Sequence, residues 1–146
     1  MNYRTLAALA IIALPLSGCS NSTEPAKSGP KTETIAISYD DLLNQKQISR
    51  STDLAVGDFL QVSLGSNPST GFRWAEQMQI SDPKVLAQTG HEVIAPKGTQ
   101  PGAAGSEVWM LQAMAPGNTT VSTTYSRPWP GGEKDSWVFS VNVTVR

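Results

Sequence analysis

The amino-acid sequence predicts an all-β fold, a β-sandwich of about seven or eight short strands. Apolar and polar residues alternate in short runs along the chain from about residue 34 onward. Glycine and proline separate these runs about every 8 to 15 residues, which is typical of strands joined by turns. The clearest run is the last, residues 137–145, where every second residue from Trp137 to Val145 is apolar. A period of two is the repeat of a strand that buries one face.

Eight runs are predicted to be strands, and one short segment is a candidate helix. The first run has isoleucine at alternate positions, and the run at 119–125 is rich in β-branched threonine. Residues 40–45 contain Asp-Asp-Leu-Leu and form at most about one or two turns of helix. The predicted strands are residues 34–39, 47–49, 59–64, 72–78, 85–94, 108–114, 119–125 and 137–145.

The first 19 residues have the pattern of a secretory leader and are not expected to belong to the fold. One cation, Arg4, precedes an uncharged apolar stretch that is too short to cross a bilayer as a helix, which needs about 20 residues. The segment ends in Leu16-Ser17-Gly18-Cys19, which resembles the bacterial lipobox, whose cysteine is lipidated and becomes the new N-terminus. A plain secretory leader with an incidental cysteine is the alternative.

We therefore divide the chain into a lipoprotein signal peptide (1–19), a flexible linker (20–33) and one folded domain (34–146). The linker is polar and rich in proline, glycine and serine, so it cannot bury enough apolar surface to fold. A linker of this length holds the domain on the order of 20 Å from a lipid on Cys19. The expected location is the bacterial cell envelope, on the outer membrane and facing the periplasm or the surface.

Composition excludes several classes of function. Cys19 is the single cysteine, so the domain that follows has no disulfide, no thiolate nucleophile and no cysteine metal site. The net charge is −1 and no segment is strongly basic, which argues against nucleic acid as a partner. His91 is the single histidine and has no second ligand at metal spacing, so we interpret it as a surface or strand-edge residue. We expect no catalytic residue, no metal and no cofactor.

Two connections between predicted strands have residues that are typical of stiff loops. In Asn67-Pro68-Ser69-Thr70-Gly71-Phe72, the proline fixes its own φ and the glycine permits a turn that a side chain would disfavour. In Arg127-Pro128-Trp129, prolines on both sides of the tryptophan keep it out of a continuing strand. Such a tryptophan either anchors a partner or folds back onto the sandwich edge with Arg127 stacked on it. The first loop alone is also consistent with a plain turn between two strands.

These two loops and a glycine-rich connection between them resemble the chagasin-like inhibitors of cysteine peptidases. The first loop matches that family's N-P-[ST]-T-G-[YF] pattern, and the last matches its R-P-W pattern residue for residue. The middle loop, Gly102-Ala103-Ala104-Gly105, resembles the family's G-x-G-G pattern, with Ala104 where glycine is usual. If that position requires a left-handed conformation, alanine costs about 1 kcal/mol. The resemblance extends from about residue 35 to the C-terminus.

The resemblance implies an immunoglobulin-like topology with the three loops side by side at one end. It implies a monomeric binding protein and not an enzyme, one that reversibly and non-covalently blocks the cleft of a papain-like cysteine peptidase. In that arrangement Thr70 lies nearest the catalytic thiol, and Trp129 packs on an aromatic surface on the leaving-group side. The glycine-rich loop then runs along the opposite, non-primed side.

Two other functions stay open. An envelope lipoprotein module that binds another protein through the same loops would have no effect on any papain-like enzyme. A small hydrolase would need His91 next to a serine or threonine nucleophile.

Overall fold

The computed structural model of the chain describes Gly18, residues 28–134 and residues 136–146. Cys19, the rest of the predicted signal peptide and the first part of the predicted linker lie outside the described residues. Nine strands and one short α-helix form in the described part of the chain. In chain order they are β1 (Thr32–Ile37), α1 (Tyr39–Asn44), β2 (Gln47–Leu54), β3 (Phe59–Ser66), β4 (Arg73–Trp74), β5 (Gln79–Ile80), β6 (Leu86–Ile94), β7 (Gly105–Ala113), β8 (Gly117–Ser126) and β9 (Trp137–Val145), with a turn of 3-10 helix at Pro68–Thr70.

The strands form two sheets, which confirms the predicted all-β, immunoglobulin-like fold. One sheet has the order β1-β3-β7-β6 and the other has the order β2-β9-β8-β4, with β5 also paired to β8. β1 runs parallel to β3, β2 runs parallel to β9, and the other pairs are antiparallel. The first two strands therefore lie at the edges of different sheets.

The core consists of the apolar residues of the alternating runs, buried between the two sheets. In β9, Phe139 and Val141 are fully buried whereas Asn142 beside them is exposed. Burying an aliphatic or phenyl side chain contributes about 1.5–3 kcal/mol. The largest fully buried side chains include Trp109, Leu60, Leu64, Leu86, Leu111 and Val62 from the first sheet, and Tyr125, Phe139, Ile48, Val121 and Val141 from the second.

The candidate helix forms as α1, one residue earlier than predicted. The hydroxyl of Ser38 caps its first turn by accepting the Asp41 N–H at 3.1 Å. Leu42 is buried in the core, which fastens this short helix to the sandwich.

The strand predicted over residues 72–78 is wrong for most of its length. Arg73–Trp74 pairs as β4, and the chain then leaves the ladder until β5. Between these strands the carbonyl of Glu76 accepts the indole N–H of Trp109 at 3.0 Å and the side-chain amide of Gln88 at 2.9 Å. Side chains from β6 and β7 thus provide the hydrogen bonds to this carbonyl group, although the alternating sequence pattern predicts a strand here.

The strand registers bring the three connections of interest to one end of the sandwich, which we call the loop pole (residues 67–72, 102–105 and 127–129). Ser66, the last residue of β3, pairs with Gly105, the first of β7, so the first two loops are neighbours. Arg73, directly after the first loop, pairs with Ser126, directly before the third. The loop between β3 and β4 therefore lies between the other two.

The other end of the sandwich, which we call the opposite pole, carries both ends of the folded domain. There the carbonyl of Lys31 accepts the Phe59 N–H at 2.8 Å, and that of Arg146 accepts the Val56 N–H at 3.1 Å. β1 begins at Thr32, two residues before the predicted start of the domain. None of the helices in the described ranges has the length and hydropathy required to traverse a lipid bilayer.

Candidate functional site

Loop 1 (residues 67–72) is a compact turn closed by its own side chains. The Asn67 side chain accepts the Ser69 N–H at 3.2 Å and the Ser69 hydroxyl at 2.6 Å. The Thr70 hydroxyl donates to the Asn67 carbonyl at 2.7 Å. Gly71 has a left-handed φ of 78°, which turns the chain back toward the core. Pro68 and Ser69 remain exposed at the tip.

Loop 3 (residues 127–129) is held by hydrogen bonds to the segment that follows it. The backbone N–H of Arg127 donates to the carbonyl of Glu133 at 2.8 Å, and the backbone N–H of Gly132 donates to the carbonyl of Trp129 at 3.0 Å. The Lys134 ammonium donates to the carbonyls of Arg127 and Trp129 at 2.6 and 2.8 Å. The carbonyl groups at both ends of the loop are therefore held in place.

Trp129 packs against loop 1 and is still 46% exposed. Cη2 of its indole ring lies so close to Gly71 that a side chain on the glycine would collide with it. Arg127 stacks on Phe72, with its guanidinium carbon 4.5 Å from the ring centroid. This arrangement differs from the alternative in which Trp129 lies on the sandwich edge under Arg127.

Loop 1 is bonded to both of its neighbours. The Asn67 side-chain amide donates to the carbonyl of Gly102 at 3.0 Å, which joins loop 1 to loop 2 (residues 102–105). Nε of Arg127 donates to the carbonyl of Thr70 at 3.2 Å, which joins loop 3 to loop 1. Each such hydrogen bond contributes about 1 kcal/mol net. The three loops therefore form one connected surface, which we call the three-loop face.

Loop 2 has glycine at both of its ends, and at each end the backbone geometry disfavours any residue with a side chain. Gly102 has a left-handed φ of 80°. A side chain on Gly105 would collide with the carbonyl oxygen of Ile94 on the neighbouring strand. Ala104 is exposed between them. The departure from the family pattern at Ala104 thus leaves both of these glycines in place.

The three-loop face rests on a cluster of aromatic rings. The ring centroid of Phe72 lies 5.4 Å from that of Tyr125 and 5.3 Å from that of Trp137, and Tyr125 stacks on Trp74 at 4.9 Å. The Tyr125 hydroxyl accepts the Asn67 N–H at 2.9 Å, which fixes the start of loop 1 to the core. Such ring pairs contribute about 0.5–1.5 kcal/mol beyond their buried area. The loops therefore have a rigid base.

Sequence reasoning missed a buried polar contact beside loop 1. His91 lies on the edge strand β6, but its Nε2 is 3.0 Å from a carboxylate oxygen of Glu107 and its side chain is only 16% exposed. The other Glu107 oxygen accepts the Ser66 hydroxyl and the Trp74 N–H, both at 3.3 Å. The sequence feature that could have predicted this contact is an acidic residue, Glu107, at a core-facing position of β7. The strand predicted there began one residue later, so Glu107 was left out.

The hydroxyls of Ser69 and Thr70 both donate to Asn67, and His91 is bonded to Glu107. In the part of the chain that the structure describes, no cluster of three or more His, Cys, Asp or Glu residues is placed to hold a metal ion. Beside the face, burial raises the pKa of the Tyr39 hydroxyl above its ordinary value.

The sequence is similar to chagasin and to amoebiasin-2. It is 33% identical to chagasin of Trypanosoma cruzi over 90 residues, which are 60% of this chain and 82% of that protein. It is 26% identical to amoebiasin-2 of Entamoeba histolytica over 119 residues, which are 79% of this chain and 91% of that protein.

Two solved structures have the same fold. The cysteine protease inhibitor EhICP2 from Entamoeba histolytica gives a TM-score of 0.59 at 19% identity, covering 80% of this chain and 96% of its own. PbICP-C, solved in complex with falcipain-2, gives 0.55 at 19% identity, covering 80% and 99%. The sequence pattern of the family described as "Chagasin family peptidase inhibitor I42" matches residues 53–143, which include all three loops. The chain therefore belongs to the chagasin family of peptidase inhibitors.

Proposed function

We propose that this chain is a reversible, non-covalent inhibitor of papain-like cysteine peptidases that blocks the active-site cleft with its three-loop face. One observation carries the proposal: loop 1 is bonded to loop 2 through Asn67 and to loop 3 through Arg127. A surface that is ordered before docking avoids a cost of about 0.5–1.5 kcal/mol for each side chain that would otherwise be immobilised. The solved complex of PbICP-C with falcipain-2 supports the choice of target class.

Loop 1 is the part that enters the cleft. Pro68 and Ser69 are exposed at its tip and Thr70 is half-buried, so only small groups project from this loop. The backbone can therefore approach the catalytic thiol closely, and the family resemblance implies that Thr70 is the residue nearest to it. Loop 2 runs along the non-primed side of the cleft.

Trp129 is the anchor of the face on the leaving-group side. At 46% exposure, much of a large rigid ring is left in water, and a partner that covers it gains its burial with little loss of side-chain entropy. Tryptophan and arginine are enriched among the residues that dominate binding energy at interfaces. Arg127 acts through positioning, because it is bonded to loop 1 and stacked on Phe72.

Inhibition in this proposal results from the exclusion of substrate, and it needs no catalytic group on this chain. The Ser69 and Thr70 hydroxyl protons are engaged by Asn67 at 2.6 and 2.7 Å, which leaves neither hydroxyl poised as a nucleophile. An interface of about 1,600 Å² is the usual size for a protease–inhibitor complex.

We further propose that the mature chain is a monomer held in the cell envelope by a lipid on Cys19, with the loop pole directed away from the membrane. The described chain enters the fold at the opposite pole, where the carbonyl of Lys31 bonds to Phe59 at the start of β3. β3 is 8 residues long, so it separates the two poles by roughly 25 Å. This distance leaves the loops accessible to a peptidase above the membrane.

The proposed function is tested by titrating residues 20–146, which contain every described strand, against active-site-quantified papain with a fluorogenic peptide substrate. A cathepsin-type enzyme is the second target. We expect stoichiometric or nanomolar inhibition, with the chain recovered uncleaved. A folded sample that inhibits neither enzyme contradicts the proposal and favours the alternative of an envelope interaction module.

The hydrolase alternative is tested with His91→Ala. A hydrolytic activity that the parent chain has and a folded sample of this variant lacks would establish the alternative. The anchor is tested by labelling cells with a radioactive fatty acid, where label is expected in the parent chain and not in Cys19→Ala. A parent chain that takes up no label contradicts the lipid anchor.

A further inference from the structure

A cavity of about 350 Å³ lies beside loop 1, where the sandwich is open between the edge strands β4 and β6. Pro68 and Phe72 line it from loop 1, and Val93 and Ile94 line it from β6. Its volume is at the small end of the range of ligand-binding pockets, about 300–1,000 Å³. It is large enough to accommodate one side chain of a partner.

The polar groups of the cavity are already bonded to one another. One Glu107 oxygen is paired with His91, and the other accepts from the Ser66 hydroxyl and the Trp74 N–H. A ligand with charged groups would have to compete with these contacts, and this costs free energy in a buried site. The internal pairing therefore favours an apolar occupant.

The mouth of the cavity carries an exposed apolar side chain. Val93 is 64% exposed and pairs across the strands with Glu107, so both lie on the side of β6 and β7 that faces the cavity, whereas Ile94, the next residue, belongs to the other face. Arg73 and Glu76 are also exposed at the cavity and carry opposite charges, so they select neither an acidic nor a basic partner. Large apolar groups at the rim of a pocket gain from being covered by an apolar partner.

The cavity is continuous with the three-loop face. Pro68 belongs to loop 1 and Gly105 to loop 2, and both line the cavity as well as the face. A peptidase that receives loop 1 in its cleft therefore presents the wall of that cleft to the cavity. This continuity identifies the occupant as part of the same protein that the loops bind.

We infer that the cavity receives one apolar side chain of the target peptidase, from the non-primed wall beside the cleft, when the three-loop face docks. This inference rests on the proposed function. Val93 then belongs to the binding surface, although it lies outside the three loops. The contact lets the inhibitor distinguish between peptidases that differ at the position facing the cavity.

The test compares dissociation constants of residues 20–146 for papain and for a cathepsin-type enzyme, using whichever the parent chain binds more tightly. Val93→Asp and Val93→Ser are the variants. Val56→Asp is the matched control, because Val56 is a valine that is 50% exposed at the opposite pole. We expect Val93→Asp to weaken binding at least about tenfold and Val93→Ser about threefold, with Val56→Asp unchanged. Thermal unfolding of each variant checks that the fold is retained.

Trp129→Ala separates failure of this inference from failure of the proposed function. If Trp129→Ala weakens binding while both Val93 variants bind like the parent, the cavity stays empty in the complex and the inference is overturned. Weakening by Val93→Asp alone, with Val93→Ser unaffected, would show repulsion of a charge and would also overturn it. A parent chain that binds neither enzyme overturns the proposed function and this inference together.

Discussion

The two poles of the sandwich use side-chain hydrogen bonds for different purposes. At the opposite pole, the Asp58 carboxylate accepts the N–H groups of Lys31 and Ala55 at 2.9 and 3.0 Å, which closes a turn and secures the start of β1. At the loop pole, Asn67 and Arg127 join loops to one another while the tips stay exposed. The first pole maintains the fold, and the second maintains the shape of a surface. Changes at the two poles should therefore separate stability from affinity.

The largest expected effect is that of Trp129→Ala on affinity. Removing the exposed indole should weaken binding to papain by about 2 kcal/mol or more, roughly thirtyfold, as for other aromatic anchors. The free energy of unfolding should change little, because the ring packs on loop 1 and not in the core. Inhibition assays and urea denaturation of the same samples measure both quantities.

Met114→Ala is the control for that prediction, since Met114 is 52% exposed at the opposite pole. It should leave affinity unchanged. Parent-like affinity in Trp129→Ala would remove Trp129 from the binding surface.

A second comparison uses a left-handed glycine from each pole. Gly71 has a φ of 78° and is in contact with Trp129, whereas Gly57 has a φ of 93° and open space around its α-carbon. Alanine at either position should cost about 1 kcal/mol of stability. Gly71→Ala should in addition displace Trp129 and weaken binding about tenfold, since a shifted anchor loses part of its contact. Equal affinity in Gly71→Ala and Gly57→Ala would show that the position of Trp129 is unimportant.

The third prediction concerns acid stability at the opposite pole. Hydrogen bonds from the backbone of Lys31 and Ala55 hold the pKa of Asp58 below its ordinary value of 3.8. The ionised carboxylate therefore contributes stability above about pH 4, and this contribution is lost as the pH falls through the lower pKa of the folded state. Asp58→Asn should reduce stability at pH 7 and flatten its fall below pH 4, with affinity unchanged. Denaturation curves from pH 2.5 to 7 measure this, and identical pH profiles would contradict it.

The smallest expected effect is that of Ala104→Gly in loop 2. The alanine is exposed, and the left-handed turn in this loop is at Gly102, so restoring the family's usual glycine should leave affinity equal or slightly better. A change of less than about threefold in the inhibition constant is expected. A clear loss of affinity would show that loop 2 has adapted to the alanine.

The sequence predicted the fold well where alternation reflects burial. The run at 137–145 became β9 with the predicted bounds, because its apolar face is buried between two sheets. The strand predicted at 72–78 was wrong because an alternating pattern does not show which groups form hydrogen bonds with the backbone. There, the indole of Trp109 and the amide of Gln88 bond to Glu76 and take the place of a neighbouring strand.

The residue pattern alone predicted three separate loops, and their placement side by side at one end was predicted from the family resemblance. Proline and glycine predicted stiff turns, and the matching motifs identified the family. The bonds that connect the loops join residues 35 and 57 positions apart, and no local pattern predicts contacts at such separations. The burial of Glu107 beside His91 was missed because the predicted strand began at residue 108, whereas β7 begins at Gly105. The role of each loop in binding stays a prediction.

The measurement that decides whether loop 1 covers the catalytic thiol is the alkylation rate of papain's active-site cysteine by iodoacetamide in the preformed complex. The reagent is small, so only direct occupation of the cleft at the thiol should protect it. We predict that the rate falls in proportion to the fraction of enzyme bound, and that Trp129→Ala restores it at concentrations where that variant dissociates. Alkylation at the rate of the free enzyme, in a complex that no longer hydrolyses the peptide substrate, would show that the chain inhibits from elsewhere on the peptidase.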